Sequence, residues 1–117
     1  MHKLVCSAAL ALTLATTPAV AQTIQPTDAN AHVGQAVTIE GIVSEVHVAQ
    51  RSDTTFIDLG GEYPNEAFTG VIFSEDESKF PDVQNLTGKK VNISGTISLY
   101  KGRPEIILHS ADQLKAP

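Results

Sequence analysis

The stretch 35-QAVTIEGIVSEVHVA-49 decides what kind of fold this chain adopts. Val37, Ile39, Gly41 and Val43 alternate with Thr38, Glu40 and Ile42, which gives an extended strand one apolar face. The apolar set then moves by one position, to Val46 and Val48. A slip of one residue turns every later side chain to the other face, so a bulge or sharp bend is expected close to Gly41. The density of β-branched residues argues against a helix here. The reading is one long, bent strand.

The flanking segments follow the same logic. Gln50 to Asp53 is a polar loop, and Thr54 to Leu59 is a second strand. Gly60-Gly61 ends it, and Glu62-Tyr63-Pro64-Asn65 forms a turn. Ala67 to Phe73 is a third strand. Ser74-Glu75-Asp76-Glu77 then has the form of a capping box, with acids in the first turn, and predicts one short helix over Glu75 to Phe80 that stops before Pro81. That pattern accounts for these acids as a capped helix start, without a metal or catalytic role. In the fourth strand, Lys90 to Leu99, Val91, Ile93, Gly95, Ile97 and Leu99 face one way while Asn92, Ser94, Thr96 and Ser98 face the other. Tyr100-Lys101-Gly102-Arg103 is a hairpin turn in which Gly102 takes positive φ, and Pro104 to Leu108 is the fifth strand. Residues 22–33 carry no apolar periodicity and read as a flexible arm, residues 34–110 as one domain, and 111–117 as a frayed tail.

Five strands, the first long and bent, with one helix between the third and fourth, make an all-β chain with the plan of a five-stranded OB-fold barrel. A seven-strand sandwich needs more strands than the chain supplies. An SH3-like barrel is the closer rival, but a helix at this point is not its habit.

The first 21 of the 117 residues read as a secretory signal. Met1-His2-Lys3 is a positive start, Leu4 to Leu14 is an apolar run, and Ala19-Val20-Ala21 fits a small-x-small cleavage site before Gln22. The run falls short of the ~20 residues that cross a bilayer, so no stable membrane insertion is expected after cleavage. The expected address is the periplasm or the exterior. Cys6, the only cysteine, lies in that leader, so the mature domain has no thiol, disulfide or cysteine metal site. Loss of Lys3 leaves seven Lys and Arg against thirteen Asp and Glu, a balance of −6. Such a surface opposes strong, indiscriminate binding of phosphates or anionic lipid, though it permits a local basic patch.

The segments 34-GQAVTIEGIVSEVH-47 and 88-GKKVNISGTISLYKGRPEIIL-108 resemble nucleic-acid-binding OB domains of bacteria. Such domains occur in the large subunit of exonuclease VII, in the anticodon-binding part of some aminoacyl-tRNA synthetases, and as small exported single-domain proteins. The shared pattern is a glycine, alternating Val/Ile, a mid-strand glycine, and Tyr-x-Gly before the last strand. The resemblance implies an OB-fold module whose partner is single-stranded nucleic acid; the leader adds export, and the few cations make weak binding the expectation. OB-folds also take sugars, peptides and proteins, so a second function class stays open: an envelope module for a peptide, a partner protein or a small cationic ligand. Glu40, Glu45, Asp53, Asp58, Glu62 and Glu66 would form its acidic face.

An OB-fold ligand lies across strands two and three, between the loop joining strands one and two and the loop joining four and five. The first loop holds Arg51 and the second holds Tyr100, Lys101 and Arg103. With Ile57 and Leu59 in the core, Phe56 and Asp58 turn outward, and Tyr63 joins Tyr100 at the rim. The candidate ligand-binding residues are therefore Arg51, Phe56, Tyr63, Tyr100, Lys101 and Arg103. The bland reading of the same residues is solubility and edge protection for the turn cations, and packing for Phe56 and Tyr100. As exposed turn charges, Lys101 and Arg103 are expected to matter little for stability. No catalytic residue, metal ligand or cofactor is expected. His32, His47 and His109 lack a ligand partner at i+2 or i+4, and no nucleophile elbow or phosphate loop is present.

Overall fold

The computed structural model describes residues 22–117. The leader expected over 1–21 lies outside the described residues. The described residues form eight strands: β1 Gln22–Ile24, β2 Ala36–Ala49, β3 Thr54–Leu59, β4 Phe68–Ile72, β5 Lys90–Thr96, β6 Ser98–Tyr100, β7 Arg103–Ile107 and β8 Leu114–Lys115.

The 14-residue β2 organises the molecule. Its first half, Ala36 to Ile42, pairs antiparallel with β5. Its second half, from Val43 to Ala49, pairs antiparallel with β3. The register breaks between Val43 and Glu45, so the bulge falls at Ser44, three residues beyond Gly41. There the strand crosses from one side of the barrel to the other. β3 pairs with β4, β4 runs parallel to β7, and β7 pairs with β6. The ladder is an open path, but its β6 end and β5 are consecutive in the chain, separated by Ile97 alone. Ile97 is tied to the segment before β2: its N–H donates to the Gln35 carbonyl at 3.0 Å, and its own carbonyl accepts from the Gly34 N–H at 2.8 Å. The result is an all-β, partly open barrel with the OB plan.

The inward rows meet in one core, in which Ile39, Ile57, Leu59, Ile72, Val91, Ile93, Ile106 and Leu108 are fully buried. Each such side chain contributes about 1.5–3 kcal/mol of transfer free energy. Leu99, expected on the inward row, is 51% exposed, because the strand breaks at Ile97 and Leu99 lies on the hairpin beyond the core.

Three expected segments differ. Residues 22–33 are docked: β1 pairs parallel with Val37–Ile39, and a 3-10 helix spans Pro26–His32. Ile24 and Ala29 are buried, and two apolar contacts spaced by five residues leave no periodic trace in sequence. Gly41 makes the seat, since a Cβ there would stand 2.7 Å from Pro26 Cγ. The expected helix after β4 is a 3-10 helix, Ser74–Lys79, followed by a second 3-10 turn, Val83–Asn85. Ser74 lies inside it and makes no cap bond, because Phe73 occupies the cap position. With Pro81 so close, the segment is too short for an α-helical ladder to develop. The tail is held as well. Gln113 Oε1 accepts from the His109 and Ser110 N–H groups at 2.7 and 3.1 Å, its Nε2 donates to the Ser94 carbonyl at 3.0 Å, and β8 pairs with β5.

Candidate ligand-binding cleft

Alternation along β2 and β3 builds the floor of the site. Past the Ser44 bulge, Val46 pairs with Ile57 toward the core, so Glu45 and His47 fall on the outer face opposite Asp58 and Phe56. The loop after β3 and the β6–β7 hairpin rise on the other side. Between them lies a cavity of about 360 Å³. Phe56, Tyr63, Tyr100, Lys101 and Arg103, five of the six candidates, line it. Arg51 is exposed in the β2–β3 turn and does not line it. His47, Asp58, Glu66, Thr69, Pro104 and Glu105 complete the walls; none was among the six candidates, although Asp58 and Glu66 were expected on an acidic face. A larger depression, about 930 Å³, lies beside β1 and the Pro26–Asp28 turn; it is lined by the Glu40–Lys90 ion pair, and no aromatic ring is among its lining residues.

The rings form a platform. His47 stacks on Phe56 with centroids 5.0 Å apart and planes at 20°, and Tyr63 tilts against His47 at 6.0 Å. Tyr63 and Tyr100 are 66% and 59% exposed, so both keep a free face. Lys101 Nζ lies 5.4 Å from the centre of the Tyr100 ring, a cation–π distance. The two-residue turn has positive φ at both Lys101 (50°) and Gly102 (77°), the primed geometry that matches strand twist.

The two hairpin cations play different parts. Arg103 Nη1 donates to Glu66 Oε1 at 2.6 Å, and its Nη2 donates to the Pro64 carbonyl. The Glu66 side chain is only 7% exposed. Arg103 is therefore a clamp between β7 and the 60–67 loop, not the unpaired turn cation that the sequence suggests. Lys101 makes no ion pair among the described residues.

Below the rings the cleft is acidic. Asp58, expected to face outward, lies on the outer side of β3 but is 1% exposed, roofed by its neighbours. Its Oδ1 accepts from the Thr69 hydroxyl at 3.2 Å. Its Oδ2 is 3.1 Å from His47 Nε2, yet the angle does not make a hydrogen bond. Burial raises the Asp58 carboxyl above its ordinary value, and the negative charges of Glu66 and Glu45 push the same way against the opposing pull of His47 and Thr69. Burial alone raises Glu105. Of the acids expected on an acidic face, Asp58 and Glu66 line the cleft, whereas Glu40, Glu45, Asp53 and Glu62 do not. The cleft thus pairs an aromatic, partly basic rim with a buried acidic floor.

His47 and Asp58 were within reach of sequence reasoning, since each shares the outward parity of Phe56. The pairing of Glu66 with Arg103 was not, because nothing local links two residues 37 positions apart.

No family model matches the chain, and no curated protein matches it in sequence. Solved structures do match in fold. Entamoeba histolytica asparaginyl-tRNA synthetase in complex with asparaginyl-adenylate aligns with a TM-score of 0.57 at 20% identity, over 86% of this chain and 24% of that one. A second structure of that enzyme aligns with a TM-score of 0.52 at 23% identity, over 84% of this chain and 23% of that one. The chain spans about a quarter of the length of these synthetases, and the likeness is one of fold.

Proposed function

We propose that this chain is an exported, non-catalytic OB-fold module that binds single-stranded nucleic acid weakly across the face of β3 and β4. One observation carries the reading: three aromatic side chains, Phe56, Tyr63 and Tyr100, line a single cleft with the unpaired Lys101 at its rim. Stacking on such rings tolerates any base, and a single lysine supplies a phosphate contact. The fold likeness to a tRNA synthetase supports the same class of partner. The lack of any assembled catalytic motif in the sequence supports a binding role. The leader-like residues 1–21 support export to the periplasm or beyond.

The test is fluorescence polarisation with labelled mixed-sequence DNA and RNA oligonucleotides at low salt. The expected Kd is about 10⁻⁴ to 10⁻⁵ M, in the range of non-specific binding. Tyr100→Ala should weaken it by about 1–3 kcal/mol, with thermal melts run alongside to separate binding from stability. Absence of binding at high micromolar protein overturns the proposal. Export is read separately, from the N-terminal mass of protein recovered outside the cytoplasm.

The acidic floor favours a second reading. Asp58, Glu66 and Glu105 outnumber Lys101 and Arg103 among the lining charges, a balance suited to a cationic peptide, a basic envelope protein or a small cation. Oligolysine competing with the oligonucleotide probe would identify that class.

A further inference from the structure

We propose that Glu45, His47 and Asp58 form a site for a divalent cation of the zinc class beside the cleft, whose wall His47 and Asp58 share. One ligand atom from each residue can be chosen so that all three lie within 4.8 Å of one another. Metal bonds of 2.0–2.2 Å at the tetrahedral angle place ligand atoms about 3.3–3.5 Å apart. His47 Nε2 and Asp58 Oδ2, at 3.1 Å, already stand close to that separation. The Glu45 carboxylate, the third ligand, lies within 4.8 Å of the other two ligand atoms.

A second observation points to a ligand. Asp58 is 1% exposed, and its Oδ2 has no hydrogen-bond donor among the described residues. A buried carboxylate oxygen left without a donor is costly. A His–Asp ion pair alone leaves the register unexplained. Glu45 sits directly opposite Asp58 across the β2–β3 ladder, and like charges in that position repel. A cation between them turns that repulsion into shared coordination.

The donor set indicates the metal class. One imidazole and two carboxylates, with no thiolate, suit zinc, manganese or cobalt(II) better than copper(I), while calcium prefers six to eight oxygens. The supports of an oriented site are present: the Thr69 hydroxyl fixes Asp58 Oδ1, and the stacked Phe56 ring fixes the plane of His47. Three protein ligands leave a position open for water or an anionic oxygen.

The inference stands apart from nucleic-acid binding and is tested with metal alone. Tag-free, chelator-treated protein is titrated with zinc chloride by isothermal calorimetry, with manganese, calcium and magnesium in parallel. The expected result is one zinc per chain at micromolar Kd or tighter, a raised Tm, and a perturbed His47 Nε2 signal in nitrogen-15 spectra. Glu45→Gln, an isosteric change at a partly exposed position, should weaken zinc by about tenfold or more. Asp58→Asn should weaken it further. The nitrogen-15 signal reads the site without any variant, so a poorly folding Asp58→Asn leaves the test intact. His109→Ala should leave zinc binding unchanged. The proposal is overturned if millimolar zinc gives no heat. It is equally overturned if binding survives Glu45→Gln undiminished with the His47 signal unmoved, or disappears in His109→Ala.

Discussion

At the scale of single residues, paired charges govern more than their exposure suggests. Arg103 looks like a surface cation, with 44% of its side chain exposed, yet its partner Glu66 is buried and has no other basic neighbour within ion-pair distance among the described residues. Arg103→Ala should therefore lower stability by about 1–3 kcal/mol, since it strands a buried carboxylate. Chemical denaturation measures this, and an unchanged midpoint would show that the clamp is dispensable. Asp76 is a second such residue. Its carboxylate accepts from Lys79 Nζ at 2.7 Å and contacts His109 Nδ1 at 3.1 Å, while Lys79 also donates to the His109 carbonyl at 2.9 Å. The hydrogen bond from Lys79, then that from His109, holds the Asp76 carboxyl below its ordinary value of 3.8. A depressed folded-state value means that the stabilisation is present above the unfolded value and is lost as pH falls through the folded one. Asp76→Asn should thus melt lower than wild type at neutral pH. The gap should close as pH falls from 3.8 through the lower folded-state value, beyond which both chains carry a neutral side chain. A gap of constant size across that range would assign the effect to something other than the charge.

At the scale of elements, close packing of short pieces replaces regular secondary structure. The 3-10 helix Pro26–His32 is held by the Ile24 and Ala29 contacts and by the seat at Gly41. Gly41→Ala would put a methyl group 2.7 Å from a rigid proline ring and 3.1 Å from Leu59 Cδ2. Overpacking of that kind costs about 1–3 kcal/mol. The expected readout is a lower denaturation midpoint together with faster amide exchange confined to residues 22–33. Exchange accelerating evenly over the barrel would mean that the segment and the barrel unfold as one unit. At the other end of the chain, Gln113 and β8 tie the last residues to β5 by a mixture of side-chain and ladder hydrogen bonds.

At the scale of the whole molecule, the balance of charges sets how any nucleic acid is held. A net charge of −5 over the whole chain, with one lysine in the cleft that is unpaired among the described residues, leaves few counterions to release. With one phosphate contact from Lys101, or two if Arg51 adds another, the slope of log K against log salt should be about −0.7 to −1.4 for a single strand. Lys101→Asn should flatten it by about 0.7, one phosphate contact's worth, without loss of stability, because asparagine suits the left-handed turn position that Lys101 occupies at φ 50°. A slope several times steeper would mean that a basic surface elsewhere does the binding.

The alternation of Val37, Ile39 and Val43, the shift to Val46, and the rows at 91–97 and 104–108 were enough to determine an OB-type barrel. Side-chain parity is a property of the extended backbone itself, and it survives any tertiary arrangement. The same parity, with the loop rule of the fold, brought five of the six candidate residues to one cleft. What the sequence could not supply were relations across strands. The bulge at Ser44 sets Glu45 opposite Asp58 and His47 opposite Phe56, and only the pairing register says so. The Arg103–Glu66 clamp and the Asp76–His109 contact join residues 37 and 33 positions apart. The docking of residues 22–33 rests on a glycine that fits a proline from another segment. Local sequence encodes which face a side chain takes. Which partner meets it there depends on loop closure and packing, and those are decided by the free energy of the whole barrel.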